Sequence, residues 1–256
     1  MTAININEMF RLDAKVAVVT GASSGLGDRF ARVLHAAGAH VVVTARRADR
    51  LAALVADLPG AVAMPADIGV PADRERLIAD VAAQFGRIDV LVNNAGIGSL
   101  VSIEHETLER FEEVMNVNTT ALWHMSKLAG VHMVAQKSGS IVNIASVLGH
   151  TGSSPIKQAN YCASKGAVVN LTRELALQWG RKGVRVNALC PGWFPSEMTA
   201  GMDTDEGSIK FVAANCPMSR MGNTEELDGA LLLLASRAGS YMTGQSVIVD
   251  GGWLAR

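Results

Sequence analysis

Seven short runs rich in β-branched and other apolar residues recur along this chain, separated by longer segments of helical period. They read KVAVVTGA, HVVVTAR, AVAMPAD, DVLVNNAG, SIVNIAS, VRVNALCPG and QSVIVDGG. None alternates strictly between apolar and polar residues. A strand wetted on one face would alternate, so each run is predicted to be a parallel strand covered on both faces. Between them, GDRFARVLHAAGA, DRLAALVADL, DRERLIADVAAQFG and RFEEVMNVNTTALWHMSKLAGVHMV place apolar residues at i, i+3, i+4 and i+7, the stripe of an amphipathic helix. Right-handed crossovers then build one doubly wound parallel α/β sheet of about seven strands with helices on both faces.

At 256 residues and 49% hydrophobic, the chain has material for one large core, and no Pro/Ser-rich linker divides it. Residues 1–256 are expected to form a single domain. The segment 193–217, rich in Met, Gly and acidic residues, follows a strand end and is expected to form a mobile helical flap. A net charge of −1 offers no basic footprint for nucleic acid. Cys162, Cys190 and Cys216 lack the short spacings of a zinc site or a disulfide framework, which suits a reducing compartment. The start, MTAININEMFRLDAK, lacks the apolar centre of a signal peptide. The longest strongly apolar stretch, ALLLLAS, falls far short of the roughly 20 residues a membrane span needs. A soluble cytoplasmic protein without a metal site is expected.

VAVVTGASSGLGDRFARVL passes from strand to glycine-rich turn to helix. Gly21, Gly25 and Gly27 stand where such a turn reverses sharply and lets a pyrophosphate approach the backbone. The helix that follows presents unpaired N–H groups to that phosphate, and Ser23 and Ser24 add hydroxyl donors. In this first strand–helix unit the glycines point to a dinucleotide.

The spacing T-G-x-x-x-G-x-G resembles the short-chain dehydrogenase/reductase family, a Rossmann fold, and the resemblance covers nearly the whole chain. Its markers occur in order: TGASSGLG at 20–27, AD at 66–67, NNAG at 93–96, Asn118, Ser146, YCASK at 161–165, PG at 191–192 and VDGGW at 249–253. The resemblance implies a cofactor site that includes Leu26 between the last two glycines. It also implies Asp67 at the adenine amino group, Ile68 against the ring, and Asn94, Ala95 and Gly96 along the ribose and nicotinamide side. Pro191, Gly192, Phe194 and Ser196 are implied at the nicotinamide, although Phe194 is bulkier than the usual aliphatic residue.

The second strand decides which dinucleotide fits. An acidic residue at its end would accept ribose hydroxyls and repel a 2′-phosphate. Here Ala45 is followed by Arg46 and Arg47, and a guanidinium can fork onto a 2′-phosphate. NADP(H) is the expected cofactor, with Arg46 favoured over Arg47 and NAD(H) the alternative.

Ser146 ends a central strand, where doubly wound sheets place ligands. Tyr161 and Lys165, at i and i+4, share one face of the next helix. A phenol is a poor base at neutral pH, and a neighbouring ammonium would lower its pKa. By resemblance, hydride passes from NADPH to a carbonyl carbon while Tyr161 gives a proton to the oxygen and Ser146 donates a hydrogen bond to it. Lys165 is implied to bind the nicotinamide ribose and tune Tyr161, and Asn118 to support a water-mediated proton relay to Lys165. The substrate is expected to meet residues 96–102, 147–160 and the flap, where Trp193, Phe194, Met198 and Met202 suggest an apolar wall and His150, Lys157 and Gln158 are polar handles. The chain resembles 3-oxoacyl-thioester reductases and sugar or polyol dehydrogenases equally. A non-catalytic nucleotide sensor is the competing reading, disfavoured by the intact Asn118, Ser146, Tyr161 and Lys165. Family members imply a homotetramer, or a homodimer, through two long helices and the last strand.

Overall fold

The computed structural model describes residues 5–255, so the first residues of the N-terminal reading and the last residue of the chain lie outside it. Seven strands form one sheet: β1 (Val16–Thr20), β2 (His40–Thr44), β3 (Val62–Ala63), β4 (Val90–Asn93), β5 (Gly139–Ile144), β6 (Val184–Pro191) and β7 (Ser246–Val249). Every pairing is parallel, in the order β3-β2-β1-β4-β5-β6-β7. The helices are α1 (Ile6–Met9), α2 (Gly25–Ala36), α3 (Ala48–Ala56), α4 (Pro71–Phe85), α5 (Leu108–Met115), α6 (Leu122–Gln136), α7 (Ala159–Trp179), α8 (Glu206–Asn215) and α9 (Asp228–Ala235).

The missing alternation in the strands has its cause in the packing. In β1, Ala17 and Val19 face one side with Phe30 and Leu34 of α2 and Leu231 and Leu234 of α9. Val16 and Val18 face the other with Leu77 and Val81 of α4 and Met125 and Met133 of α6. Successive side chains leave a strand on opposite faces, and here both faces are dry, so both must be apolar.

The long helical period after NNAG does not run as one α-helix. Asn116–Ala121 forms a π-helical stretch between α5 and α6. Such wide turns are uncommon and recur at functional sites. The strand order reverses direction between β1 and β4, and the crevice at their carboxyl ends is where doubly wound sheets bind ligands.

Candidate active site

That crevice is a cavity of about 540 Å³, open to solvent. Its wall contains every residue expected to hold the cofactor, from Gly21 to Ser196, together with Ser146, Tyr161 and Lys165. Asn118 alone of the expected set is not on the wall.

The glycine turn is locked by its neighbours. Gly21 has φ +67°, and a Cβ there would lie 2.8 Å from the Ala95 Cα. A Cβ on Gly27 would lie 2.2 Å from the Gly21 carbonyl oxygen. Asn94, expected at the ribose, also braces this turn: its Nδ2 donates to the carbonyls of Thr20 (2.9 Å) and Gly21 (3.2 Å). The Thr20 hydroxyl in turn accepts the N–H groups of Asn94 and Ala95 at 3.0 and 3.1 Å. Asn93 points into the sheet and donates to Ser126 and Asn143, both at 2.9 Å. Asp67 closes its own turn by accepting the Gly69 N–H at 2.8 Å.

Both arginines after β2 line the cleft, and they differ in their contacts. Arg46 lines the cleft but is exposed, and its side chain makes no hydrogen bond or ion pair among the described residues. Arg47 turns into the cleft and donates to Ser23 (2.8 Å) and Ser24 (2.9 Å) of the glycine turn. Guanidinium, two hydroxyls and the free amides of a helix start make a donor set suited to a phosphorylated ribose.

At the other end, Tyr161 and Lys165 share one side of α7, with the Lys165 Nζ 5.5 Å from the centre of the phenol ring. The Ser146 hydroxyl faces the phenol and favours its charged form. It also accepts the Leu148 N–H at 3.1 Å, so it caps the next turn as well. Lys165 is 3% exposed and donates to the Ile144 carbonyl at 2.7 Å. Burial disfavours both charged forms, pushing the lysine down to about 8 and the phenol up to about 12, while the neighbouring Ser146 opposes the latter. The expected lowering of the phenol by Lys165 is not found: desolvation dominates, and Ser146 is the group that opposes it. Tyr161 is a neutral proton donor here.

Asn118 projects inward from the π-helical stretch and is fully buried. Its Oδ1 accepts the Ile97 N–H at 2.8 Å, and its Nδ2 donates to the Ile97 carbonyl (2.8 Å) and the Ser164 hydroxyl (2.9 Å). The loop after NNAG is thereby pinned to α7.

The apolar wall divides. Met198 lines the cavity, and Phe194 does so while its ring packs on Gly222 and into the core. Trp193 instead stacks edge-on with Phe211 (5.9 Å) and Trp253 (5.6 Å), and Met202 joins the same small core. Gln158 turns away to donate to Ser153 at 3.0 Å. Sequence reasoning missed Glu197 and Arg110. Arg110 donates to the Gly98 carbonyl at 2.7 Å, in a loop that packs against Tyr161, and pairs with Glu113 at 2.5 Å. Glu197 had only its place in the flap as a sequence signal, and Arg110 had none, since it stands in a helix expected at a subunit face.

The family model described as enoyl-(acyl carrier protein) reductase matches residues 21–254. The chain belongs to the short-chain dehydrogenase/reductase family. It is an oxidoreductase of that family. A gluconate 5-dehydrogenase of Gluconobacter oxydans is 38% identical over 96% of this chain and 96% of its own length. A 3-oxoacyl-[acyl-carrier-protein] reductase of Synechocystis is 38% identical over 95% and 98%. The crystal structure of a gluconate 5-dehydrogenase from Burkholderia cenocepacia, in complex with NADP and tartrate, superposes with a TM-score of 0.92 at 33% identity, covering 98% of this chain and 100% of that one. The glycine turn, Ala66 and Asp67, Asn94 to Gly96, Ser146, Tyr161, Lys165, Pro191 and Gly192 thus meet in one crevice, whereas VDGGW lies outside it.

Proposed function

We propose that the chain is an NADP(H)-dependent dehydrogenase that interconverts a ketone and a secondary alcohol on a sugar acid or polyol. The observation that carries this reading is convergence: Ser146 and Tyr161 form one end of the cavity whose other end is the glycine turn and Arg47. Two hydroxyl donors aimed at one place suit a carbonyl oxygen, where negative charge develops on reduction.

NADP(H), when bound, supplies or accepts the hydride. Arg47, Ser23 and Ser24 would hold its 2′-phosphate, the glycine turn its pyrophosphate, and Asp67 and Ile68 its adenine. Tyr161 gives its proton to the developing alkoxide, and Ser146 stabilises that oxygen by donating to it. Lys165 holds positive charge beneath the phenol, which favours phenolate once the proton has left. Asn118 acts through position, fixing Ile97 and α7 so that Tyr161 and the NNAG loop keep their separation. In the reverse direction Tyr161 is the base.

The gluconate 5-dehydrogenases found by both sequence and structure support a sugar-acid substrate. A panel of keto-gluconates, polyols and 3-oxoacyl thioesters, followed by nicotinamide absorbance with NADPH and NADH, tests it. Turnover of keto-gluconates or polyols with NADPH is expected. Turnover of thioesters alone would replace the substrate class, and cofactor binding without any turnover would return the sensor reading.

A homotetramer, or a homodimer, is supported by large exposed apolar residues on α6, α7 and β7, among them Val131 (64%), Leu177 (80%) and Ile248 (42%). Light scattering on the purified protein reads the assembly. No helix among the described residues is long and apolar enough to cross a membrane. The unpaired Cys162, Cys190 and Cys216 support a cytoplasmic location.

A further inference from the structure

The flap reaches the cofactor turn through one carboxylate, which sits on the chain's own phosphate-type donors. Arg47 grips Glu197 with both terminal nitrogens, Nη1 to Oε1 at 2.7 Å and Nη2 to Oε2 at 2.9 Å. Arg50 adds a third bond to Oε1 at 2.6 Å, and the Ser24 hydroxyl also reaches the carboxylate. The same Arg47 side chain holds Ser23 and Ser24. A guanidinium fork matches carboxylate and phosphate with the same planar geometry. The two oxygens of Glu197 therefore stand in for two oxygens of a phosphate.

We propose that Glu197 is a specificity-determining residue: it occupies the 2′-phosphate seat, and NADP(H) must displace it where NAD(H) need not. This inference rests on the NADP(H) reading above. A dianionic phosphate and a carboxylate cannot share one fork without like-charge repulsion, so the phosphorylated cofactor breaks the contact between flap and glycine turn. NAD(H) carries a hydroxyl at that position and leaves the Arg47–Glu197 pair intact. The competing anion is present throughout the working pH range, because Arg47 and Arg50 hold Glu197 down to about 2. Ser196, one residue earlier, lies against Gly25, so moving Glu197 also disturbs the flap over the turn.

Fluorescence titration with NADPH and NADH tests the proposal. Glu197→Gln is expected to bind NADPH roughly five- to tenfold tighter while NADH affinity changes less than about twofold. In an Arg47→Met background, which removes the shared seat, Glu197→Gln is expected to change NADPH affinity less than about twofold. Equal tightening of both cofactors would make Glu197 a general lid and overturn the proposal; so would weaker NADPH binding, or a gain that persists without Arg47. Wild-type preference for NADPH with an unaltered Glu197→Gln variant overturns the role of Glu197 alone. A wild type that binds NADH as tightly as NADPH overturns the cofactor reading and this inference with it.

Discussion

The glycine turn after β1 and the flap after β6 face each other across one cleft but are held in different ways. The turn is fixed by backbone: carbonyls of Thr20 and Gly21 are capped by Asn94, and Gly21 and Gly27 lie so close to neighbouring atoms that no Cβ fits. The flap meets it through exposed charged side chains, Glu197 on Arg47 and Arg50. Buried backbone bonds are expensive to break because the groups left behind lose water as well as partner. Exposed ion pairs gain little, since solvent screens them and long side chains lose entropy in forming them. The turn is locked by its own backbone, whereas the flap's contact with it is a screened ion pair.

The largest expected effect tests the floor between these walls. Tyr161→Phe leaves both walls in place, so turnover should fall roughly 10³-fold while NADPH affinity stays within about threefold, read by steady-state kinetics beside cofactor titration. Residual activity near wild type would remove Tyr161 from the chemistry.

Breaking the locked turn comes next. Gly27→Ala puts a methyl 2.2 Å from the Gly21 oxygen and 2.5 Å from the Asn94 Nδ2. A stability loss of about 1–3 kcal/mol is expected, together with weaker binding of both NADPH and NADH, measured by thermal denaturation and titration. A variant that binds normally would show that the turn is not locked by its backbone.

Lys165 sharpens the contrast between buried and exposed charge. Its folded pKa is depressed to about 8, so between that value and the ordinary 10.5 the unfolded chain binds the extra proton. The burial penalty is present in full below about pH 8 and is relieved as pH rises toward 10.5. Relative to Lys165→Met, the wild type should gain roughly 2–3 kcal/mol of stability across that window, read from denaturant midpoints at pH 7 and pH 10. A constant difference would mean the ammonium is not desolvated.

The smallest effect belongs to the flap's ion pair. Arg50→Met removes an exposed partner of Glu197 that Arg47 still holds, so stability should change by less than about 1 kcal/mol and the difference should shrink with added salt. A larger, salt-independent loss in thermal scans would mean that the Glu197 contact is not a screened surface pair.

Most of the fold was legible before any coordinates. Apolar runs without alternation specify strands buried on two faces, and the seven strands found follow those runs. The residues of the glycine turn, the strand-end Ser146 and the Tyr161–Lys165 pair were legible for the same reason: strand ends, turns and i, i+4 helix faces are rules of short range. The π-helical stretch was not legible, because NVNTTA carries almost no apolar period from which a widened turn could be told. That Arg47 rather than Arg46 is tied to Ser23 and Ser24 was not legible either, since adjacent residues at a helix entry point apart and sequence does not say which meets the glycine turn.

What the sequence determined by itself was a parallel α/β sheet, a dinucleotide turn, and a serine, tyrosine and lysine at positions the fold brings to one crevice. Tertiary structure alone decided which arginine is tied to the glycine turn and that Glu197, 150 residues later, closes on it. It also decided that Asn118 spends its amide on the Ile97 backbone, and that burial rather than a neighbouring charge governs Tyr161 and Lys165. Spacing along the chain fixes neighbours within a turn or two. Contacts across a cleft, and the water excluded from them, exist only once the chain has returned to itself.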